Sequence, residues 1–134
     1  MDATIITKPK VEIDPEIRRQ LRTKTDEEGQ VIVHCLYRDR LPWGSAIRIW
    51  PTTYLLDCDS DHKSELVHTE NISLYPSWTP CDPFSDTHFT LIFTGLPRTC
   101  TKFDFEEFCD NSGGEFVARN IPRNSSDIYY LVIL

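Results

Sequence analysis

Short runs of alternating apolar and polar residues dominate the chain from position 30 onward. Residues 31–36 (VIVHCL) are rich in β-branched side chains, and residues 88–93 (HFTLIF) form the most strand-like run. A period of two places successive side chains on opposite faces of a sheet. Further runs of this type cover residues 45–56, 65–75, 103–108, 115–121 and 128–134. The pattern predicts about seven strands, with Pro51 bending or interrupting the second.

Turn signals separate these runs, and helical periodicity is missing between them. The polar tract 57–64 is the clearest turn, the proline-rich segment 76–83 is a connection, and residues 111–114 (NSGG) mark another turn. Parallel βαβ units are therefore disfavoured. The sequence predicts a mostly β fold, namely an antiparallel immunoglobulin-like β-sandwich of about seven strands, and a closed barrel is the alternative.

The first 29 residues form a separate N-terminal arm before the β domain of residues 30–134. Residues 3–7 (ATIIT) favour a strand, and Asp14 is a helix N-cap for a short helix over residues 15–22. Ile17 and Leu21 would share one face of that helix. Four interpretations of the arm are possible: a protein-contacting segment, a strand-exchanging segment, a plain tail or an extra edge strand.

Several segments of the β domain resemble a known group of proteins. They are residues 48–55 (RIWPTTYL), 68–72 (HTENI), 75–79 (YPSWT), 89–97 (FTLIFTGLP), 120–124 (NIPRN) and 127–129 (DIY), with Cys100, Phe103, Asp104 and Glu106. Together they resemble small uncharacterised bacterial proteins with an immunoglobulin-like β-sandwich and no assigned activity. The resemblance covers residues 30–134 and implies a fold, but it brings no catalytic residue with it.

Charge and cysteine usage narrow the classes of function. The 134 residues carry a net charge of -7, with +1 over residues 1–48 and -8 over residues 49–134. This balance disfavours nucleic acid and anionic membranes as partners, and no apolar run approaches the ~20 residues of a membrane span. The N-terminus lacks the pattern of a secretory leader. Five cysteines without a C-x-x-C pair favour a reducing, cytoplasmic setting.

Two chemical sites are alternatives to a pure binding role. Asp57, Asp59 and Asp61 place three carboxylates at alternate positions, a spacing that suits a calcium loop, although His62 and His68 occupy the positions where such a loop has glycine and glutamate. A cysteine-dependent enzyme would need Cys35 or Cys58 beside a histidine from another strand. No phosphate-binding loop, serine-hydrolase motif or cofactor motif is present, so no cofactor is expected.

The loop 38–44 is the leading candidate for a binding surface. Trp43 is expected to be exposed there, flanked by Arg38, Arg40 and Arg48, and binding residues often lie on loops of a rigid scaffold. The other tryptophans and tyrosines either fill the core or form a surface for a sugar or a protein. The leading hypothesis is a non-enzymatic protein-binding or scaffold module whose partner is another protein or a second copy of itself. A calcium- or small-ligand-binding protein is the alternative.

Overall fold

The computed structural model describes residues 3–5, 29–109 and 115–133, and these residues form ten strands. The strands are β1 (Ala3–Ile5), β2 (Val31–Arg38), β3 (Ser45–Ile47), β4 (Thr53–Asp57), β5 (Lys63–Glu70), β6 (Thr79–Cys81), β7 (Asp86–Phe93), β8 (Lys102–Glu107), β9 (Val117–Pro122) and β10 (Ile128–Ile133). The described residues contain no helix. A mostly β fold is thus confirmed.

Eight of the strands form one mixed sheet that curls as a half-barrel. Their order is β1-β10-β2-β7-β5-β4-β8-β9. Strands β10 and β2 run parallel, whereas the other paired strands of the sheet are antiparallel. The remaining two strands, β3 and β6, pair with each other as a separate antiparallel ribbon.

The core lies on the concave, inner face of the curled sheet because the alternation points one side of every strand inward. Val31 and Val33 of β2, Leu91 of β7, and Phe103 and Phe105 of β8 have no measurable exposure. Aromatic side chains bury roughly 150–250 Å² each, so the core phenylalanines contribute much of the apolar burial. The ribbon joins this core through its inward-facing side chains.

The structure meets some sequence expectations about the strands and differs from others. The run 45–56 divides into β3 and β4 at Pro51, as expected for a proline in a strand. The segment 76–83, predicted as a connection, contains β6. The parallel β10–β2 pair means that the all-antiparallel expectation is not confirmed, and neither is the immunoglobulin-like sandwich.

The predicted helix over residues 15–22 and the turn at residues 111–114 lie outside the described residues. The strand expected near residues 3–7 is present over Ala3–Ile5, where β1 pairs with β10 at one edge of the sheet. Within the part of the chain that the structure describes, no helix is long and apolar enough to cross a membrane.

Candidate functional site

Four side chains beside the ribbon form one continuous stack. The rings of Trp50 and Tyr75 lie with centroids 3.8 Å apart and planes inclined by 19°. The guanidinium carbon of Arg48 lies 4.6 Å from the Tyr75 ring centroid and 3.8 Å from the Trp78 ring centroid. Arg48 therefore separates Tyr75 from Trp78. Cation–π attraction fixes the arginine in this position, and Trp78 ends the stack with 56% of its surface exposed.

The backbone around Ile49 positions this stack. Ile49 is fully buried, and its N–H donates to the carbonyl oxygen of Ser73 at 2.9 Å. The N–H of Tyr75 donates in turn to the carbonyl oxygen of Ile49 at 2.9 Å. Because neighbours of an inward-facing residue point outward, Arg48 and Trp50 lie on the surface. Arg48 also donates through Nη1 to the carbonyl oxygen of Pro76 at 3.3 Å.

A buried carboxylate on β8 anchors the same region. Glu107 accepts the N–H of Trp50 through Oε2 at 2.9 Å and the N–H of Phe116 through Oε1 at 3.1 Å. Burial raises the pKa of Glu107, while the two backbone hydrogen bonds oppose that rise. Glu107 therefore ties Trp50 of the stack to the main sheet and positions it.

A second group of exposed apolar side chains lies at the other end of the ribbon. Trp43 is 76% exposed and Phe84 is 69% exposed. The loops that carry them are joined, since the N–H of Asp39 donates to the carbonyl oxygen of Ser85 at 2.8 Å. Gly44 has a φ of 79°, and an added Cβ would lie only 2.8 Å from the Cys81 carbonyl oxygen, so this close approach requires glycine.

Asp39 fixes the loop that presents Trp43. Its carboxylate is buried and accepts the N–H of Leu41 and the hydroxyl of Ser45, each at 2.9 Å. Phe84 has a φ of 52°, a left-handed conformation that costs free energy for a bulky residue. The hydrogen bonds of Asp39 thus fix the backbone of the loop that presents Trp43.

These two groups make up what we call the aromatic strip. The strip comprises the exposed large hydrophobic residues of these two groups and of the segments that carry them, namely Leu41, Trp43, Leu74, Tyr75, Trp78 and Phe84. They are six of the eight exposed large hydrophobic residues in the described part of the chain, the other two being Val67 and Phe108. Ala46 and Pro80, which face each other across the ribbon and are both exposed, lie between the two groups. An exposed apolar surface of this kind marks an interaction site more often than scattered single residues do.

The structure separates the four residues that the sequence assigned to partner binding. Trp43 is exposed, as expected, and Arg40 is exposed in the same loop. Arg38 ends β2 and lies opposite Asp86 in the strand register. Arg48 belongs to the stack rather than to the loop. The loop therefore presents Trp43 and Arg40, whereas Arg48 lies in the stack at the other end of the ribbon.

The acidic turn after β4 does not assemble a cation site in the described residues. Asp57 is buried and accepts the Ser60 hydroxyl at 2.7 Å and the Asp59 N–H at 2.9 Å, and these two bonds lower its pKa. Asp59 accepts the hydroxyl of Thr101 at 3.0 Å, and Asp61 is exposed. The described residues contain no group of three or more metal-ligating side chains. Hydrogen bonds within the turn therefore already occupy both carboxylate oxygens of Asp57.

Among the contacts that the structure describes, neither Cys35 nor Cys58 has a histidine as a hydrogen-bond partner, and the shifts in their pKa values disfavour a nucleophilic role. Burial raises the pKa of the Cys35 thiol far above its ordinary value and that of Cys100 to about 11. Partial desolvation, followed by the Asp104 carboxylate, raises the pKa of Cys58. Nucleophilic cysteines need the opposite shift, because the thiolate is the reactive form. His34 hydrogen-bonds to the Thr90 hydroxyl at 2.8 Å instead.

Sequence reasoning missed Phe84, Asp39 and Glu107. Glu107 could have been found, because it continues the inward-facing alternation of Phe103 and Phe105 and so is placed on the core side of β8. Phe84 carried no such signal in its proline-rich surroundings. In comparisons with known proteins, no family model, no curated protein and no solved structure matches this chain.

Proposed function

We propose that the protein is a non-enzymatic protein-binding module and that the aromatic strip is its binding surface. The observation that carries this proposal is the Arg48 stack, with the exposed Trp78 at its end. Binding hot spots are enriched in tryptophan, tyrosine and arginine, and rigid rings lose little entropy when a partner covers them. The positions of Arg48 and Trp50 are already fixed by their neighbours, which favours binding without reorganisation.

The expected partner is a protein segment with apolar side chains and a carboxylate. The apolar side chains would cover Trp78 and Trp43, which are the two tryptophans of the strip. A carboxylate would complement Arg48, whose guanidinium is stacked between rings and therefore shows only its edge to a ligand. A second copy of the chain can supply such a segment, because the chain is acidic overall.

Paired variants test the proposal. The double variant Trp43→Ser with Trp78→Ser removes both exposed rings of the strip, and Val67→Ser with Phe108→Ser is the matched control, since both residues are exposed elsewhere. Each full-length protein is used as bait in extracts of its native cells, with quantitative mass spectrometry and light scattering to measure self-association. We expect one protein, or the chain itself, to bind the wild type and the control near stoichiometry and the strip variant at least tenfold more weakly.

Equal binding by all three proteins would contradict the proposal. Binding of a free oligosaccharide with the same dependence on Trp43 and Trp78 would also contradict it, because flat rings can stack on sugars as well as on protein groups. We further propose, on the sequence resemblance alone, that residues 30–134 are related to immunoglobulin-like proteins of cytoplasmic bacterial origin. The binding proposal does not depend on that relationship.

A further inference from the structure

The ribbon of β3 and β6 has two edges that differ in their backbone groups. The strand register places Ala46 of β3 opposite Pro80 of β6. Opposite residues of an antiparallel pair alternate between those that exchange backbone hydrogen bonds and those that do not. Pro80 has no N–H, so Ala46 and Pro80 do not exchange hydrogen bonds. The N–H and C=O of Ala46 therefore point away from β6, toward the other edge of β3, which we call the open edge.

Arg48 adds a second pair of backbone groups to the open edge. Its neighbour Ile49 donates its N–H to the carbonyl oxygen of Ser73 and accepts the N–H of Tyr75, each at 2.9 Å. Both groups of Ile49 are thus used on the ribbon side. Consecutive residues of an extended chain direct these groups to opposite sides. The N–H and C=O of Arg48 therefore point to the same side as those of Ala46.

The open edge is limited at both ends by hydrogen bonds that are already made. The N–H of Gly44 donates within its own loop at 3.3 Å, and the N–H of Trp50 donates to the Glu107 carboxylate at 2.9 Å. Within the described part of the chain, β6 is the only strand that pairs with β3, and the outward groups of Ala46 and Arg48 have no hydrogen-bond partner. Ala46 is exposed and carries only a methyl group, so its side chain does not obstruct an added strand.

The edge of β6 does not offer the same groups. Pro80 presents a carbonyl oxygen there but no donor, and the carbonyl oxygen of Asp82 accepts the N–H and the hydroxyl of Ser85. A proline in an edge strand prevents regular pairing with a further strand. The ribbon can therefore be extended by a strand beside β3 but not beside β6.

The positions of the outward groups fit a second copy of the chain. Ala46 and Arg48 lie on either side of Ile47. In an antiparallel pairing with a two-fold axis at Ile47, Ala46 of each copy exchanges hydrogen bonds with Arg48 of the other, and all outward groups of both residues are paired. Antiparallel pairing also brings the Trp43 loop, which precedes β3, beside the segment after β3 in the second copy, where the stack lies.

We propose that two copies of the chain pair through the open edges of β3 and form one four-stranded ribbon. The exposed apolar residues of the two aromatic strips would then meet at both ends of the paired strands. The proposal rests on the proposed binding function and names the partner as a second copy. It differs from that function in the group responsible, because the hydrogen bonds come from the backbone and not from the aromatic rings.

Ala46→Pro tests the pairing with little effect on the ribbon. It removes the outward N–H and leaves the hydrogen bonds between β3 and β6, since Ala46 donates none of them. Sedimentation equilibrium of the full-length chain gives the Kd of the dimer. We expect Ala46→Pro to raise this Kd roughly tenfold or more, because both Ala46 donors of the dimer are lost. The control Ala46→Ser keeps the N–H and should leave the Kd unchanged, and circular dichroism checks that both variants fold.

Amide hydrogen exchange tests the wild-type chain directly and does not depend on the folding of a variant. NMR spectra of the full-length protein at high concentration should show slow exchange for the N–H groups of Ala46 and Arg48. Both should exchange much faster after dilution below the Kd. The N–H of Ile47 points toward β6 and should exchange at the same rate in both samples. Rates for Ala46 and Arg48 that do not change with concentration would overturn the proposal.

Two further results would also overturn it, namely a wild-type chain that stays monomeric at about 1 mM and a dimer that Ala46→Pro does not weaken. Trp43→Ser with Trp78→Ser separates edge pairing from the function of the strip. A dimer weakened by the tryptophan variant but not by Ala46→Pro would contradict edge pairing and keep the strip as a binding surface. A dimer weakened by Ala46→Pro alone would support edge pairing and contradict a binding role for the strip in self-association.

Discussion

The outer face of the curled sheet has two halves that differ in chemistry. Over β10, β2 and β7 it carries isoleucines and a buried histidine, whereas over β8 and β9 it carries charges. Arg119 of β9 pairs there with Glu106 at 2.6 Å and Asp104 at 3.3 Å, and more than half of its side chain is exposed. One continuous sheet thus has a covered half and a solvated half on the same side.

This difference shows that the position of a strand in the sheet decides whether its side chains are buried on one face or on both faces. The charged half is typical of an antiparallel sheet with one solvated face. The apolar half surrounds the parallel pair β10–β2, and parallel strands are usually covered on both faces. Buried side chains therefore lie on both faces of the sheet around this pair, including His34, Ile92 and Val132 on the outer face.

The largest expected effect is a charge placed on the covered half. Ile92→Asp should lower the free energy of unfolding by about 4 kcal/mol, because it buries a carboxylate without a partner. Leu56→Asp, on the outer face of β4 between Lys63 and Asp104, should cost about 1 kcal/mol, because the charges of its two cross-strand neighbours oppose each other. Urea unfolding at pH 7 measures both. Similar losses for the two variants would show that the halves do not differ in environment.

The next effect is the pH dependence that His34 gives to the covered half. Burial lowers the pKa of His34 from 6.5 to about 4. The neutral ring is therefore favoured in the folded state, and its contribution is fully present above pH 6.5 and is lost as the pH falls toward 4. Between these values the free energy of unfolding should decrease by up to about 3 kcal/mol through this group.

His34→Asn isolates that contribution, since it keeps a polar side chain of similar reach without the titration. Urea unfolding of the wild type and the variant at pH 7.5, 6, 5 and 4 gives the difference in their slopes. Acidic groups that titrate in both proteins cancel in this comparison. Parallel curves would contradict this prediction, because they would mean that the pKa of His34 is the same in the folded and unfolded states.

A smaller effect is expected where the solvated half meets the aromatic strip. Glu107→Gln should cost about 2 kcal/mol, because an amide has one acceptor oxygen and leaves either Trp50 or Phe116 without a partner for its N–H. Near-UV circular dichroism should show a weaker tryptophan signal, since Trp50 is no longer fixed. Glu106→Gln, on the opposite face of β8, is the control and should leave the spectrum unchanged.

The sequence predicted those features of the fold that depend on local alternation. Residues 31–36 and 88–93 are strands as expected, since their alternation and β-branched content are local properties. The three-residue strand β6 was missed because prolines on both sides of it indicate a connection. The parallel pairing of β10 with β2 joins residues nearly 100 positions apart, and no local pattern specifies such a pairing.

The candidate site could be predicted only in part for the same reason. Proline and glycine in the loop indicated that Trp43 is exposed, and the structure agrees. The contact between Arg48 and Trp78 needs the Ile49–Leu74 bridge, which the sequence does not reveal. The proposed role of the acidic turn depended on spacing alone, whereas turn hydrogen bonds decide where Asp57 points.

The smallest effect should come from the ion pairs of the solvated half. Arg119→Ser removes both contacts, yet the urea midpoint should stay unchanged within error, because exposed ion pairs gain little in water and restrict two flexible side chains. The same measurement in 1 M NaCl should give the same result for wild type and variant. A clear loss of stability would mean that this half is also shielded from solvent, and the contrast between the two halves would then be one of residue type and not of exposure.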